Sequence, residues 1–294
     1  MPLDPILPKL EQETRRRRRI GIFRHRKVPV RMLVPNFFTL LGLCAGLTAI
    51  RMAIEHRYDI ALAAIVIAAL LDSVDGRIAR LLKASSRFGA ELDSLADFVN
   101  FGVAPAVVLY TWGYNASKGL GWIVVLIFAV ASALRLARFN VAIDDEKPHW
   151  QGNYFTGMPV PAAAIVVMLP VYLVHLDLLP IHRALLPGYL VYTLLIAFLM
   201  VSTIPTFSGK LLGERIPREM VLPIFVVVGA LVALLLTYPY ATLTAASVVY
   251  LALVPIAARR FARHMRESEA AEARAQAEND GRLVDLRSPD DGKS

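Results

Sequence analysis

Four aspartates lie close together in the sequence, as two pairs with helical spacing. Asp72 and Asp75 are three residues apart and Asp93 and Asp97 are four apart, so each pair falls on one face of a helix. Carboxylates gathered in this way repel one another unless a cation neutralises them, and oxygen ligands without His or Cys select Mg²⁺, Mn²⁺ or Ca²⁺. Such ions are commonly shared with substrate phosphates. The pattern therefore predicts a divalent-metal site, with Mg²⁺ or Mn²⁺ as our choice, and a phosphorylated substrate.

Two other interpretations of the same carboxylates remain open. The aspartates could form ion pairs with Arg77, Arg80 and Arg87. Membrane carboxylates also mark ion paths, so a secondary transporter or proton-coupled carrier is a second hypothesis. Against the carrier, the aspartates cluster at one predicted edge of the membrane instead of its midplane, and no inverted repeat of the segment is apparent.

Long apolar segments must position these aspartates. The chain has 294 residues, of which 56% are hydrophobic, and its mean hydropathy of +0.52 is unusual for a soluble domain. Largely uncharged segments of about 18 to 23 residues are long enough to cross a bilayer as helices. We therefore predict an all-α, polytopic transmembrane helix bundle of about eight spans. The spans are expected at residues 32–54, 60–82, 92–113, 120–142, 159–178, 186–204, 220–237 and 240–258.

The basic residues predict the orientation of the bundle. Arginines cluster before the first span and after the last, and Lys and Arg are retained on the cytoplasmic side. Both termini and the aspartates are therefore expected in the cytoplasm, in a multi-pass protein of the cell (inner) membrane. We predict a basic cytoplasmic leader over residues 1–31, a transmembrane catalytic domain over 32–258 and a charged cytoplasmic tail over 259–294. A basic cluster beside the membrane attracts anionic headgroups, so membrane lipids are expected partners and nucleic acid is not.

Two local features lie outside the aspartate segment. Pro159, Pro161 and Pro170 are expected to break or bend the fifth span. In the tail, an Ala-, Glu- and Arg-rich stretch predicts a solvated helix as far as Asn279, and the composition from Asp280 onwards predicts disorder.

The aspartate segment also carries a longer pattern. From Asp72 to Asp97 it reads DSVDGRIARLLKASSRFGAELDSLAD, which fits D-x2-D-G-x2-A-R-x8-G-x3-D-x3-D at every fixed position. This segment resembles the signature of the CDP-alcohol phosphatidyltransferases. The resemblance implies an enzyme that cleaves a CDP-activated lipid, transfers the phosphatidyl group to the hydroxyl of an alcohol and releases CMP.

The resemblance also implies roles for individual residues. Asp72, Asp75, Asp93 and Asp97 would bind a pair of Mg²⁺ or Mn²⁺ ions, and Asp97 would also act as the general base for the attacking hydroxyl. Further positions are expected to contact the CDP-lipid, here CDP-diacylglycerol, and they are Gly76, Ala79, Arg80, Ser86, Gly89, Asn36 and Thr39. For Asn36 and Thr39, helix capping or interhelical hydrogen bonding is an equally good explanation.

Secondary motifs bear on the acceptor alcohol. The stretches VPNFFT, FGVAPA, LRLARFN, GMPVPAAA and VSTIP resemble the serine-using branch of the family, which implies L-serine as the acceptor. Arg135 and Arg138, at i and i+3, could pair with the serine carboxylate, although snorkelling to phospholipid headgroups would also explain them. Glycerol 3-phosphate, an inositol phosphate or choline remain alternative acceptors. By resemblance, the protein is expected to be a homodimer.

Overall fold

The computed structural model describes residues 33–82, 86–141, 154–180, 183–207 and 218–287. The predicted basic leader over residues 1–31 lies outside the described residues, as does the tail beyond Arg287.

Two packed helices begin the described chain. Helix α1 spans Leu33–Ile54 and α2 spans Tyr58–Leu81, and the two lie against each other along most of their length. Small residues are buried along these two helices, and they include Gly42, Ala49, Ala53, Ala61, Ala64 and Ala68. Larger side chains such as Leu47 and Leu70 point outward. Small residues allow the two backbones to approach closely, as is usual for helices in a bilayer.

The segment from Arg87 to Trp112 is helical throughout, but its hydrogen-bonding pattern changes from α to π and back to α. Helix α3 spans Arg87–Asp97, a π-helical turn follows over Phe98–Val103, and α4 spans Ala104–Trp112. Pro105 has no N–H to donate to the carbonyl of Phe101, so the regular α-helical ladder cannot continue through this point. Such π turns are rare and occur mostly within helices near functional sites. Helix α5, Gly119–Val141, then packs against this segment.

The fifth predicted span is broken, as the prolines indicate. Helix α6 spans Val160–Val167 and α7 spans Leu169–His175, with Met168 between them in a non-helical conformation. The prediction of a break or bend is therefore confirmed. The next segment is a single helix, α8, over Leu186–Val201.

A short antiparallel ribbon joins the ends of these segments and was not predicted. Strand β1, Tyr154–Thr156, pairs with β2, Pro205–Phe207, with Phe155 opposite Thr206. Gly157 leaves the ribbon at φ +77°, where its N–H donates to the carbonyl of Ile204 at 3.0 Å. Only glycine adopts this conformation without strain.

Two helices complete the described chain. Helix α9 spans Arg218–Thr237 and α10 spans Pro239–Arg287. The prediction of disorder from Asp280 is wrong as far as Arg287, because the helix continues through these residues, where Leu283 and Leu286 are good helix formers.

The lengths and composition of the helices fit a membrane protein. Among the residues that the structure describes, five helices are long and apolar enough to cross a bilayer, namely Leu33–Ile54, Arg87–Trp112, Gly119–Val141, Glu219–Thr237 and Pro239–Arg263. Val160–His175 and Leu186–Val201 are shorter apolar helices, and α2 carries the charges of the aspartate segment. Each of the eight predicted spans coincides with a helical segment in the described residues, which confirms the predicted all-α, polytopic architecture.

Close helix packing predicts a sensitive position at Gly46. A β-carbon there would overlap Oδ1 of Asn100 and lie 3.1 Å from its Cα, so Gly46→Ala must push α1 away from the π turn. Overpacking of this kind costs about 1–3 kcal/mol. We expect a lower Tm in detergent, measured by thermal unfolding. The control is Gly229→Ala in α9, where a β-carbon meets nothing within 4 Å; equal Tm values for the two variants would contradict the packing argument.

Candidate active site

The four aspartates converge in the folded chain. Asp72 and Asp75 lie towards the end of α2, and Asp93 and Asp97 lie on α3. One carboxylate oxygen from each of Asp72, Asp75 and Asp93 can be chosen so that all three lie within 4.8 Å of one another. Asp97 lies beside this triad, one helical turn after Asp93 on α3 and close to Asp72. Helical spacing and the short connection between α2 and α3 bring these groups together.

Arginine side chains do not neutralise this cluster. In the part of the chain that the structure describes, no ion pair joins the four aspartates to Arg77, Arg80 or Arg87. Arg80 instead donates from Nε to the carbonyl of its own-helix Gly76 at 3.1 Å. The ion-pair interpretation is therefore not supported. Partly buried carboxylates without a basic partner, all offering hard oxygen donors, fit a site for divalent metal.

A threonine of α1 orients one of the carboxylates. Thr39 donates from Oγ1 to Oδ2 of Asp75 at 2.7 Å, and both side chains are buried. Hydrogen bonds from such outer groups fix the orientation of metal ligands. The alternative of interhelical hydrogen bonding, left open by the sequence, therefore applies to Thr39.

A cavity of about 210 Å³ opens next to the aspartates, between the start of α1, the end of α2 and the start of α3. All of the predicted CDP-lipid contacts line it, namely Asn36, Thr39, Gly76, Ala79, Arg80, Ser86 and Gly89. Asp75 and Asp93 form part of the same wall. The cavity can therefore place a bound phosphate directly against the carboxylates of Asp75 and Asp93.

The entrance to α3 forms one side of this cavity. Ser86 is the N-cap of α3, and its Oγ accepts a hydrogen bond from the backbone N–H of Gly89 at 3.0 Å. A β-carbon at Gly89 would meet Oδ1 of Asn36 at 2.9 Å, so glycine allows α1 and α3 to approach. At Gly76 a β-carbon would meet nothing within 4 Å, which leaves the backbone open to the cavity.

The two predicted acceptor-binding arginines lie in different environments. Arg135 is only 7% exposed, and its Nε has no hydrogen-bond partner in the described residues. Arg138 is exposed, and its Nη1 donates to the carbonyl of Val201 at the end of α8, at 2.7 Å. Arg138 therefore ties α5 to α8, whereas Arg135 retains a free donor in a buried position.

Sequence reasoning missed a polar pair between α3 and α5. Nδ2 of Asn140 donates to Oγ of Ser94 at 2.9 Å, and the same Oγ lies 3.3 Å from Oδ1 of Asn140, to which it can donate. Ser94 sits between two of the aspartates but on another face of α3, and Asn140 ends the LRLARFN stretch. Nothing in the local pattern links residues so distant in sequence.

Comparison with known proteins adds independent information. The sequence model of the CDP-alcohol phosphatidyltransferase family matches residues 32–204, and that of CDP-alcohol phosphatidyltransferase 2 matches residues 219–255. The chain is 38% identical over 248 residues to a Mycobacterium bovis protein named CDP-diacylglycerol–serine O-phosphatidyltransferase, which covers 82% of this chain and 83% of the relative.

Relatives with the same name occur in more distant organisms. One from Helicobacter pylori is 42% identical over 142 residues, covering 48% of this chain and 58% of the relative. One from Methanocaldococcus jannaschii is 35% identical over 157 residues, covering 53% of this chain and 69% of the relative. Together with the aspartate cluster and its adjoining cavity, these matches show that the chain belongs to the CDP-alcohol phosphatidyltransferase family.

Proposed function

We propose that this protein transfers the phosphatidyl group of CDP-diacylglycerol to the hydroxyl of L-serine, forming phosphatidylserine and CMP. The observation that carries the proposal is the group of converging aspartates, which have no basic partner in the described residues and lie beside a cavity. The names of the mycobacterial and other relatives support serine as the acceptor.

The aspartates are proposed to hold two Mg²⁺ or Mn²⁺ ions. Asp72, Asp75 and Asp93 provide the closely spaced oxygens, and Asp97 adds a fourth carboxylate. When bound, these ions would neutralise the diphosphate and the charge that develops on the departing CMP. Thr39 keeps the Asp75 carboxylate in a fixed orientation for this purpose.

Asp97 is proposed to be the general base. In the reaction, the acceptor hydroxyl oxygen forms a bond to the phosphorus of the phosphatidyl group, and the bond between that phosphorus and the CMP oxygen breaks. The hydroxyl proton goes to Asp97 and the electron pair leaves with CMP. Support for this role is the position of Asp97 beside the triad and outside it, which leaves a carboxylate oxygen for the acceptor.

The cavity residues are proposed to bind the CDP-lipid. Gly76 exposes its backbone, and Arg80 can donate from the ends of its guanidinium while Nε is held by the Gly76 carbonyl. Asn36, Ala79, Ser86 and Gly89 form the remaining surface. In the acceptor site, Arg135 and Arg138 are proposed to bind the serine carboxylate. Arg135 has a donor without a partner in the described residues, whereas Arg138 already uses Nη1 in its bond to α8.

The setting of the enzyme is part of the proposal. The predicted division into residues 1–31, 32–258 and 259–294 is retained, with both termini and the aspartates on the cytoplasmic side of the cell membrane. The basic clusters that flank the spans support this orientation. A homodimer is proposed by resemblance to the family.

The reaction itself is tested with purified protein. CDP-diacylglycerol and Mn²⁺ or Mg²⁺ are supplied with L-serine, glycerol 3-phosphate, inositol phosphate or choline in separate incubations, and CMP and the lipid product are identified. We expect phosphatidylserine and CMP in equal amounts, loss of turnover after chelation and recovery on adding metal. Full activity in chelator, or a product with another alcohol instead of serine, would overturn the proposal.

Asp97→Asn is expected to lower turnover by about 10²–10⁴-fold, because the amide cannot accept the hydroxyl proton. Binding of CDP-diacylglycerol is expected to be largely retained, since the triad remains. CMP release and CDP-lipid affinity are the two measurements. Asp177→Asn is the control, because Asp177 is exposed and asparagine tolerates its φ of +56°. Near-normal turnover in the Asp97 variant would contradict the assignment of Asp97 as the general base.

Thr39→Val is expected to raise the Mn²⁺ concentration needed for half-maximal activity by about 10–100-fold, since the hydrogen bond that orients Asp75 is lost while the shape is kept. The matched control is Thr48→Val on the same helix, because Thr48 is exposed and bonds only to the carbonyl of Cys44, at 2.7 Å. An unchanged metal requirement in the Thr39 variant would show that this hydrogen bond does not orient a ligand.

A further inference from the structure

The Ser94–Asn140 pair joins two helices with different proposed roles. Helix α3 carries Asp93 and Asp97, and α5 carries Arg135. Ser94 precedes Asp97 by three residues, and Asn140 follows Arg135 by five. The two contacts between the Ser94 hydroxyl and the Asn140 amide, at 2.9 and 3.3 Å, use both ends of that amide. The pair therefore attaches the C-terminal end of α5 to α3 at the level of Ser94.

A second contact lies further along the same two elements. A β-carbon at Gly102 would meet Oγ of Ser132 at 2.8 Å, so these residues touch. Gly102 lies eight residues after Ser94, and Ser132 lies eight residues before Asn140. The order of the two contacts shows that the segments run antiparallel.

Asp97 and Arg135 both lie between these two contacts. Counted from the Ser94–Asn140 contact, Asp97 is opposite Ala137, two residues from Arg135. At a rise of 1.5 Å per residue, Arg135 is therefore within about 3 Å of the depth of Asp97 along the helix axis. The hydroxyl and the carboxylate of serine are separated by only two carbon atoms, so one acceptor molecule can meet both residues only if this alignment is kept.

Apolar packing alone does not hold the alignment. A cavity of about 480 Å³ runs along the same interface, lined among others by Phe98, Ala133 and Ala137. Small side chains beside this cavity leave few dispersion contacts between α5 and α3 at this level, because a gap removes the partner atoms on one side. The polar pair is thus one of the contacts that position the C-terminal end of α5, together with the bond from Arg138 to the carbonyl of Val201 on α8.

The burial of Arg135 indicates what the alignment serves. Arg135 is only 7% exposed, and in the described residues no acidic side chain forms an ion pair with it. An unpaired buried charge is costly, and an anionic ligand relieves that cost. Phe139, whose ring centre lies 5.6 Å from the guanidinium carbon, contributes only a weaker cation–π contact.

We infer that Ser94 and Asn140 are positioning residues for the acceptor. By holding α5 in register with α3, they keep Arg135 at the depth where the carboxylate of the acceptor is bound while its hydroxyl lies at Asp97. This inference rests on the proposed function. Ser94 and Asn140 would align the acceptor and would take no part in binding the CDP-lipid or the metal.

The test compares Ser94→Ala, Asn140→Ala and the double variant. We expect kcat/KM for serine to fall by about 10–100-fold in each single variant, as small misplacements of reactants do. The double variant should be no worse than the more affected single variant, because both substitutions remove the same contact. KM for CDP-diacylglycerol and the Mn²⁺ requirement should stay unchanged. Ser94→Thr, which keeps the hydroxyl, should restore most of the serine kcat/KM, and Arg135→Lys should raise the KM for serine.

A variant that removes another interhelical hydrogen bond distinguishes a positioning role of the pair from a purely structural one. Tyr58 donates to the carbonyl of Thr111 at 2.8 Å, far from the aspartates along the same helix hairpin, so Tyr58→Phe should lower Tm without changing the serine KM. If Ser94→Ala and Asn140→Ala only lower Tm, or change the KM values for serine and CDP-lipid equally, the inference is overturned. If the unaltered protein makes no phosphatidylserine, the proposed function itself fails. An active unaltered protein with unaffected variants contradicts the positioning role alone.

Discussion

Mutual repulsion among four carboxylates is the constraint around which this molecule is arranged. Asp72, Asp75, Asp93 and Asp97 converge near the end of an apolar bundle, where ionisable groups are expensive, and no arginine among the described residues pairs with them. The proposed divalent ions would compensate this repulsion. Packing elsewhere in the bundle must hold the helices that carry the carboxylates together against it.

That packing depends on small residues more than on large ones. Gly46 accommodates Asn100, Gly89 accommodates Asn36, and Gly102 accommodates Ser132. Each contact brings a polar side chain against a backbone that has no side chain of its own. Close approach of this kind compensates for the missing hydrophobic driving force between helices in lipid. The same contacts fix the relative positions of α1, α3 and α5, and hence of the groups that they carry.

The sequence predicts the site better than it predicts the contacts that support the site. Spacing alone places the aspartate pairs on helix faces, and apolar length marks every helical segment. The π turn, the β1–β2 ribbon and the Thr39–Asp75 bond depend on residues distant in sequence, which local periodicity does not report. Arg135 and Arg138 look equivalent at i and i+3, and only the position of α8 distinguishes them. The end of the terminal helix was mispredicted because composition is a weak guide there.

The interrupted fifth span shows how the bundle tolerates a defect. Pro170 has no amide hydrogen for the carbonyl of Val166, and the hydroxyl of Tyr192 on α8 donates to that carbonyl at 2.7 Å. The hydroxyl of Tyr172 donates likewise to the carbonyl of Ile165 at 3.0 Å. The hydroxyl of Tyr192 thus supplements the backbone N–H of Met168, which also donates to the Val166 carbonyl, where the bilayer itself offers no donor. Pro170 on α7 and Tyr192 on α8 therefore depend on each other, and a substitution of either residue affects the helix that carries the other.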